Sequence, residues 1–289
     1  MDTSNVITLR ENLYVLKAMV KKEFKIIMRY PLDFALGFVQ LFFWMLIFIF
    51  AALPFSANGI ESFGTGRFGN SILWGSIIFF IASDVIWVVG NGLRYAQRTG
   101  TLEQNVLAPI REWDIVLARA FRALVSDTPF FLWALLIIYL LTGYFVVKNL
   151  LLSLYAFTMA IIAFLGFGFL YAAITIWIKR ANVLSNLLQF ILMFFCAMFF
   201  PFSSLPPQVL PISKLIPFSY NVDLFRSLIG GLPPELITTN VTIFGIVLNP
   251  ITFELLLVTV LSLSLLIAGF WAFNYSIKKA KKEGTLAQY

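Results

Sequence analysis

Histidine is absent from the 289-residue sequence, and charged residues make up only 12% of it. Without imidazole, every mechanism that needs histidine as a base, a proton shuttle or a metal ligand is excluded. A soluble globular protein carries about 25% charged residues, so the charges here are too few to cover a water-facing surface. A soluble enzyme and a nucleic-acid-binding domain are therefore nearly excluded as classes.

Cysteine and nucleotide-binding patterns are also scarce. Cys196 is the single cysteine, so we expect no intramolecular disulfide and no thiolate metal cluster, and we expect this residue to be a small apolar core or lipid-facing side chain. The sequence has no Gly-x-x-x-x-Gly-Lys-Ser/Thr loop, so the chain does not bind ATP through a P-loop. No predicted span carries the paired carboxylates that hold Mg²⁺ against a diphosphate. We therefore expect no enzyme activity, metal or cofactor in the chain itself.

Hydrophobic residues, in contrast, make up 60% of the chain, and the mean hydropathy is +0.90. The surplus of apolar residues must face lipid, and a spanning helix needs roughly 20 of them. The sequence therefore predicts an all-α integral membrane protein with six transmembrane helices. The predicted spans are 32–55, 71–93, 126–147, 150–178, 183–203 and 251–277.

The basic residues indicate how these spans are oriented. An amphipathic segment at 9–30 precedes the first span and ends at Pro31, and its basic arc is typical of a helix that lies in the membrane interface. This segment, the polar stretch 94–122, the turn at 179–182 and the tail 278–289 together hold 17 of the 21 lysine and arginine residues. The positive-inside rule then places both termini in the cytosol. The net charge of +7 is explained by the anionic inner leaflet and requires no nucleic acid.

These assignments divide the chain into a cytosolic N-terminus with an amphipathic helix (1–31), a six-helix transmembrane domain (32–277) and a basic cytosolic tail (278–289). We expect no secretory signal peptide, because charges run through the first 33 residues without a separate apolar core.

Asp84 is the only ionisable residue in the middle of a predicted span. Such groups are costly in the membrane and are functional candidates, so Asp84 either takes part in transport or is a packing or cavity-lining group. Glu254, near the outer end of the last span, is expected to be reached by water. A secondary transporter driven by an ion gradient through Asp84 would predict inverted repeats, and none relates residues 32–147 to 150–277.

The stretch 94–122 contains the most informative cytosolic segment. Thr101 follows Gly100 and resembles a helix N-cap, Glu103 lies in the first turn where a carboxylate suits the helix dipole, and Pro109 ends the segment. A short capped helix of this kind suits a docking element. An ordinary interfacial loop is an equally compatible interpretation.

Several runs in this order resemble the ABC type-2 exporter permeases. Residues 100–103 (Gly-Thr-Leu-Glu), 108–110 (Ala-Pro-Ile) and 113–115 (Trp-Asp-Ile) resemble the segment that follows the second span in that family. Residues 200–206 and 217–220, followed by Asp223 and Arg226, resemble its last external loop. With the amphipathic helix and the six spans, the resemblance covers nearly the whole chain.

The resemblance implies a membrane half of an ATP-binding-cassette exporter, which works as a dimer with two separate ATPase subunits that bind ATP and Mg²⁺. The amphipathic helix would be the connecting helix, and the segment 204–250 would be re-entrant from the outside. The residues implied in coupling to the ATPase are Gly100, Thr101, Leu102, Glu103 and Pro109. The residues implied in the translocation path or its gate are Asp84, Pro201, Pro206, Asp223 and Arg226.

Residue chemistry agrees with parts of this assignment. The prolines of the external segment disfavour one continuous helix there; they are Pro206, Pro207, Pro211 and Pro217. Asp223 and Arg226 are spaced i, i+3 and are predicted to pair on one helical face.

The substrate remains open at this stage. The aromatic residues suit a path for a lipid or amphiphilic drug, or stacking against the sugars of a polysaccharide or glycolipid, although aromatic residues also serve as lipid-facing bulk and interfacial belts. An exporter subunit in the plasma membrane is the preferred interpretation. A secondary transporter and a non-transporting scaffold are the alternatives.

Overall fold

The computed structural model is helical over most of the residues that it describes, apart from one short β-hairpin. The described residues are 14, 17–18, 20–22, 24–25, 28–52, 54, 67–102, 104, 112–142, 147–178, 181–243 and 246–284. The helices are α1 (Pro31–Ala52), α2 (Arg67–Val85), a π-helix (Ile86–Asn91), α3 (Gly92–Arg98), α4 (Glu112–Thr142), α5 (Leu150–Thr175), α6 (Ala181–Phe195), α7 (Leu210–Leu215), α8 (Pro217–Gly230) and α9 (Pro250–Glu283). The remaining elements are a 3₁₀ turn (Phe202–Ser204) and strands β1 (Val241–Ile243) and β2 (Ile246–Leu248).

Three helices of the described part are long and apolar enough to cross a membrane. They are the continuous helix Arg67–Arg98, which combines α2, the π-helix and α3, together with α5 and α9. Two shorter apolar helical segments, Ala35–Trp44 and α6, accompany them. A helical membrane protein is thus confirmed, whereas the number of six spans stays a prediction.

Several helices extend beyond the predicted spans. The helix of the second span continues to Arg98, so the stretch 94–122 is not simply a loop, and α4 already begins at Glu112. The last helix runs on into the basic tail and ends at Gly284, which has φ +65° and donates its N–H toward the Lys281 carbonyl. Hydropathy locates only the part of a helix that lies in lipid, and lysine, arginine and glutamate are good helix formers outside it.

The fifth predicted span differs in the opposite direction, because α6 ends at Phe195 and not near residue 203. Its 15 residues span about 22 Å at 1.5 Å per residue, which is short of a hydrocarbon core of about 30 Å. The chain leaves the helix through Ala197, whose φ of 47° is left-handed. Cys196 is fully buried at this break, as the sequence predicts for a small core residue.

The external segment is interrupted where its prolines predict. Pro211 lies at the start of α7, and Pro217 is the first residue of α8, positions that tolerate the missing N–H. The strands β1 and β2 then form an antiparallel pair in which Val241 is opposite Leu248. These two three-residue strands are a local exception in a mostly helical structure, which fits the predicted all-α membrane fold; their β-branched residues favour extended pairing.

Glycines allow α5 and α9 to approach closely. A Cβ on Gly166 would lie 2.5 Å from the backbone nitrogen of Leu266, and one on Gly269 would lie 2.1 Å from the Gly166 carbonyl oxygen. Small residues at helix contacts are the usual means of packing helices in lipid. The tight α5–α9 contact, with α2 against α5 and α4, forms the frame on which the candidate sites are built.

Candidate functional site

Residues 196–243 and 246–249, which we name the outer cap because they are predicted to lie outside, are organised around Arg226 on α8. Arg226 is only 4% exposed, and its guanidinium donates hydrogen bonds to the carbonyls of Ala197 (2.7 Å), Met198 (2.5 Å) and Phe200 (3.3 Å). These carbonyls follow the last turn of α6, where a helix runs out of its own N–H donors. Arg226 therefore caps the broken end of α6 from a different helix.

Asp223 holds the other side of the same helix. Its Oδ2 accepts the backbone N–H groups of Glu235 (2.8 Å) and Leu236 (2.7 Å), and the residue is 2% exposed. Asp223 and Arg226, which the sequence predicts to pair on one helical face, interact electrostatically, and each also bonds backbone groups on its own side of α8. Buried charges are stabilised by bonds to backbone dipoles, and here the pair joins α8 to the segments that precede and follow it.

Gly75 on α2 makes room for this arrangement. A Cβ at this position would lie 2.0 Å from Nη2 of Arg226 and 2.0 Å from the Met198 carbonyl oxygen. Any side chain would displace the guanidinium or the carbonyl that it binds. The outer end of α2 and the cap are therefore in direct contact, which the sequence did not predict because the two positions are far apart in the chain.

Glu254, in the first turns of α9, is 0% exposed, which contradicts the expectation that water reaches it. Among the described residues no donor meets its carboxylate oxygens in good hydrogen-bond geometry, and the Asp223 carboxyl of α8 is close enough to interact with it. The expectation assumed that this end of α9 is a membrane surface, whereas α8 packs against the helix. A carboxylate buried beside a second carboxyl is costly as an anion.

Pro201 and Pro206 shape the turn that leads into the cap. Pro201 is buried and precedes the 3₁₀ turn, and the Pro206 carbonyl accepts the N–H of Val209 at 2.9 Å. Asp84 is not part of this group. It follows Gly75 by nine residues on α2, about 13 Å along a helix, and it is half-buried.

Two residues after Asp84, at Ile86, the helix changes to the π form, which the sequence did not predict. The indole N–H of Trp87 donates to the Gln189 side chain (3.0 Å), and the Gln189 amide donates to the Ser83 hydroxyl (2.8 Å), so a polar chain links this region to α6. π-Helical turns within α-helices are frequent at functional sites. The only sequence signal was the isolated polar residues Ser83 and Gln189 in apolar runs.

At the end of α3 that is predicted to face the cytosol, residues 99–102 form what we name the coupling turn, after its predicted role. Gly100 has φ +68° with open space around its Cα, and Leu102 is 0% exposed. Thr101 is exposed and helical, and its hydroxyl donates to the Ala96 carbonyl (3.3 Å) of the preceding helix. The predicted N-cap role of Thr101 is therefore wrong: its hydroxyl serves the end of α3. Glu103 and Pro109 lie outside the described residues.

The C-terminal end of α9 contacts the residues that begin α4. Lys281 forms an ion pair with Glu112, and the rings of Trp113 and Phe270 meet edge to face at 5.9 Å. Partial burial acts to raise the pKa of the Glu112 carboxyl, but the hydrogen bond from Lys281 and the charges of Lys281 and Lys278 outweigh it, and the pKa lies below its usual value. The tail helix is thus tied to the element that follows the coupling turn.

Comparison with known families identifies the class to which this architecture belongs. Residues 14–229 match the model of the ABC-2 type transporter family. The match covers well over half of the chain, which therefore belongs to this family, as the resemblance predicted. A comparison with curated proteins gave no significant match.

The chain is accordingly the transmembrane permease component of an ABC transporter, which is not itself the ATPase. Permeases of this family generally work with an ATPase subunit, through which nucleotide and Mg²⁺ act.

Proposed function

We propose that the chain is the permease subunit of an ATP-driven exporter. Two copies form the translocation path with separate ATPase subunits, and a lipid or amphiphilic, drug-like substrate leaves across the plasma membrane. The observation that carries this proposal is the coupling turn: an exposed glycine turn, anchored by the fully buried Leu102, at the end of an uninterrupted helix.

That helix connects the two ends of the molecule. Arg67–Arg98 contains 32 residues, about 48 Å at 1.5 Å per residue. Its cytosolic end leads into the coupling turn, and near its outer end Gly75 contacts Arg226. A displacement of Leu102 by the ATPase would therefore move this whole helix, and the far end of the helix contacts the outer cap.

The proposed role of each residue follows from its position relative to this helix. Gly100, Thr101, Glu103 and Pro109 form the contact with the ATPase, and the buried Leu102 couples that contact to the helix. The outer cap is the re-entrant segment that closes the path, with Pro201, Pro206, Asp223 and Arg226 at its gate, and Asp84 lines the path between the two ends. Both termini are cytosolic, in keeping with the distribution of lysine and arginine.

The first test is purification of the tagged chain from its own membranes. A stoichiometric soluble subunit with a P-loop is expected to accompany it. A chain that emerges alone after crosslinking and shows no ATP hydrolysis would contradict the exporter assignment.

The coupling assignment has its own test in reconstituted vesicles that contain the complex. We expect Glu103→Arg to leave the protein in the membrane but to uncouple ATP hydrolysis from transport, because the charge reversal lies in the ATPase contact. Glu283→Arg makes the same chemical change at an exposed position on α9 and should leave coupling intact. Unchanged coupling in Glu103→Arg would contradict the assignment of the turn.

A further inference from the structure

A cavity of about 380 Å³ lies where α3 meets the first turn of α6. Its lining residues are Asn91, Arg94, Tyr95, Arg98, Ala181, Asn182 and Val183. The volume falls within the range of small-ligand pockets. None of these residues belongs to the coupling turn or to the outer cap.

The cavity concentrates positive charge that has no described counter-ion. Arg94 is 5% exposed; its Nη1 donates to the Gln97 side chain at 3.0 Å, while its Nε has no hydrogen-bond partner. Arg98 is one helical turn further along the same face. Among the described residues, no carboxylate forms an ion pair with either arginine. A buried guanidinium with an unused donor is costly unless a partner completes its bonds.

The opposite wall is the start of a helix of 15 residues. The N–H groups of a first helical turn lack intrahelical acceptors and carry partial positive charge, which favours an anion there. The Tyr171 hydroxyl fixes this turn by donating to the Ala181 carbonyl at 3.0 Å. Two arginines and a helix start therefore converge on one space.

We propose that this cavity binds the phosphate headgroup of an anionic phospholipid from the inner leaflet. The phosphate would accept from Arg94 and Arg98, the residues that bind such groups with two or more donors. Tyr95 (70% exposed) and Val183 (63% exposed) flank the cavity and would contact the glycerol and acyl chains. Basic pockets between helices at the cytosolic side are suited to lipid headgroups. The proposal depends on the proposed orientation of the chain but not on its transport activity.

A lipid in this position would restrain the helix Arg67–Arg98, which is proposed to transmit the movement of the ATPase. It would join α3 to α6 within one or two helical turns of Gly100, which lies in the coupling turn that follows α3. The bound headgroup would neutralise the repulsion between the two arginines and fix the cytosolic end of the helix relative to α6.

The test measures lipid retention by the purified full-length chain, with its ATPase if the two remain together. The protein is placed in nanodiscs of phosphatidylcholine with a minor fraction of phosphatidylglycerol, and the lipid that stays bound is quantified by native mass spectrometry. Phosphatidylglycerol should be retained in preference to phosphatidylcholine. We expect Arg98→Gln to reduce this retention about fivefold or more, and Arg98→Lys to retain part of it.

The control is Lys279→Gln, which removes one exposed cytosolic charge on α9, outside the cavity. Equal losses in Arg98→Gln and Lys279→Gln would overturn the proposal, because they would show attraction to the whole basic surface and not binding at one site. Arg94→Gln should give the larger loss, and Arg98, being exposed, keeps the test valid if the buried substitution fails to fold.

Inorganic phosphate distinguishes the two sources of the anion. If millimolar phosphate binds the detergent-solubilised chain and displaces phosphatidylglycerol completely, the cavity is a site for free phosphate and the lipid assignment is wrong. Retention of phosphatidylglycerol in its presence supports the lipid. If the wild-type complex retains phosphatidylglycerol but shows no ATP-coupled transport, the result counts against the proposed function and leaves this inference standing.

Discussion

The outer cap and the coupling turn place their polar side chains in opposite ways. In the cap, Asp223 and Arg226 are buried and each bonds backbone groups of a neighbouring segment. In the turn, Thr99 and Thr101 are exposed and bond only nearby groups of their own helix end, while Leu102 alone is buried. The cap is thus fixed by its own chain, and the turn keeps its polar surface for a partner.

Breaking the cap should have the largest effect. Arg226→Met removes the charged donor of three backbone carbonyls near the end of α6; the Ala197 carbonyl keeps the Phe200 N–H, whereas those of Met198 and Phe200 are left unpaired, at about 1–3 kcal/mol each. We expect at least about 2 kcal/mol of destabilisation, seen as a lower thermal transition and aggregation in size-exclusion chromatography. Lys214→Met, which removes an exposed cation of the same cap, should leave both unchanged. A normal transition for Arg226→Met would show that the cap does not depend on this side chain.

At the turn, a backbone change should affect coupling more than folding. Gly100→Ala forces a left-handed φ on a residue with a Cβ, at a cost of about 1 kcal/mol, but it meets no neighbouring atom within 4 Å. We expect a slightly lower melting temperature and a clear fall in transport per ATP hydrolysed.

Gly284→Ala is the matched control for this substitution, since Gly284 has φ +65° and equally open surroundings. It should show the same change in melting temperature with normal coupling. If the two variants couple equally well, the conformation at Gly100 has no special role.

The smallest effect should come from the Glu112–Lys281 ion pair. The two side chains are 27% and 36% exposed, and such pairs contribute about 0–1 kcal/mol. Because the pKa of Glu112 is lowered in the folded state, its contribution is present above the unfolded pKa and is lost as the pH falls through the folded value. The difference in melting temperature between wild type and Glu112→Gln should therefore be visible at pH 7 and shrink as the pH falls below the unfolded glutamate value of about 4.3. A difference that grows in acid would contradict this assignment.

The sequence predicted the features that depend on composition and local pattern. Apolar runs indicated Arg67–Arg98, α5 and α9 because lipid requires long apolar helices, and prolines indicated where the external segment breaks. The loop residues indicated the family correctly.

The errors all concern which groups a residue contacts in the folded structure, whether these lie a few residues away or far along the chain. Thr101 looked like an N-cap because its hydroxyl precedes a helix, and only the fold shows that Ala96 takes its hydrogen bond. Glu254 was expected to be solvent-exposed because it is near a predicted span end, and only the packing of α8 against α9 buries it. Gly75 carried no signal at all, since its role depends on Arg226, which follows it by about half the chain.

The π-helix at Ile86–Asn91 determines how the side chains after it are oriented around the axis of the helix Arg67–Arg98, relative to those before it. Its N–H groups bond five residues back instead of four, so it accommodates one more residue than an α-helix would, and one residue corresponds to about 100° of rotation. The azimuth of Arg94 and Arg98 relative to Gly75 is therefore set by the length of this segment. Deleting a single residue there would leave composition and hydropathy nearly unchanged. It would nevertheless rotate Arg94 and Arg98 by about 100° about the helix axis, away from α6.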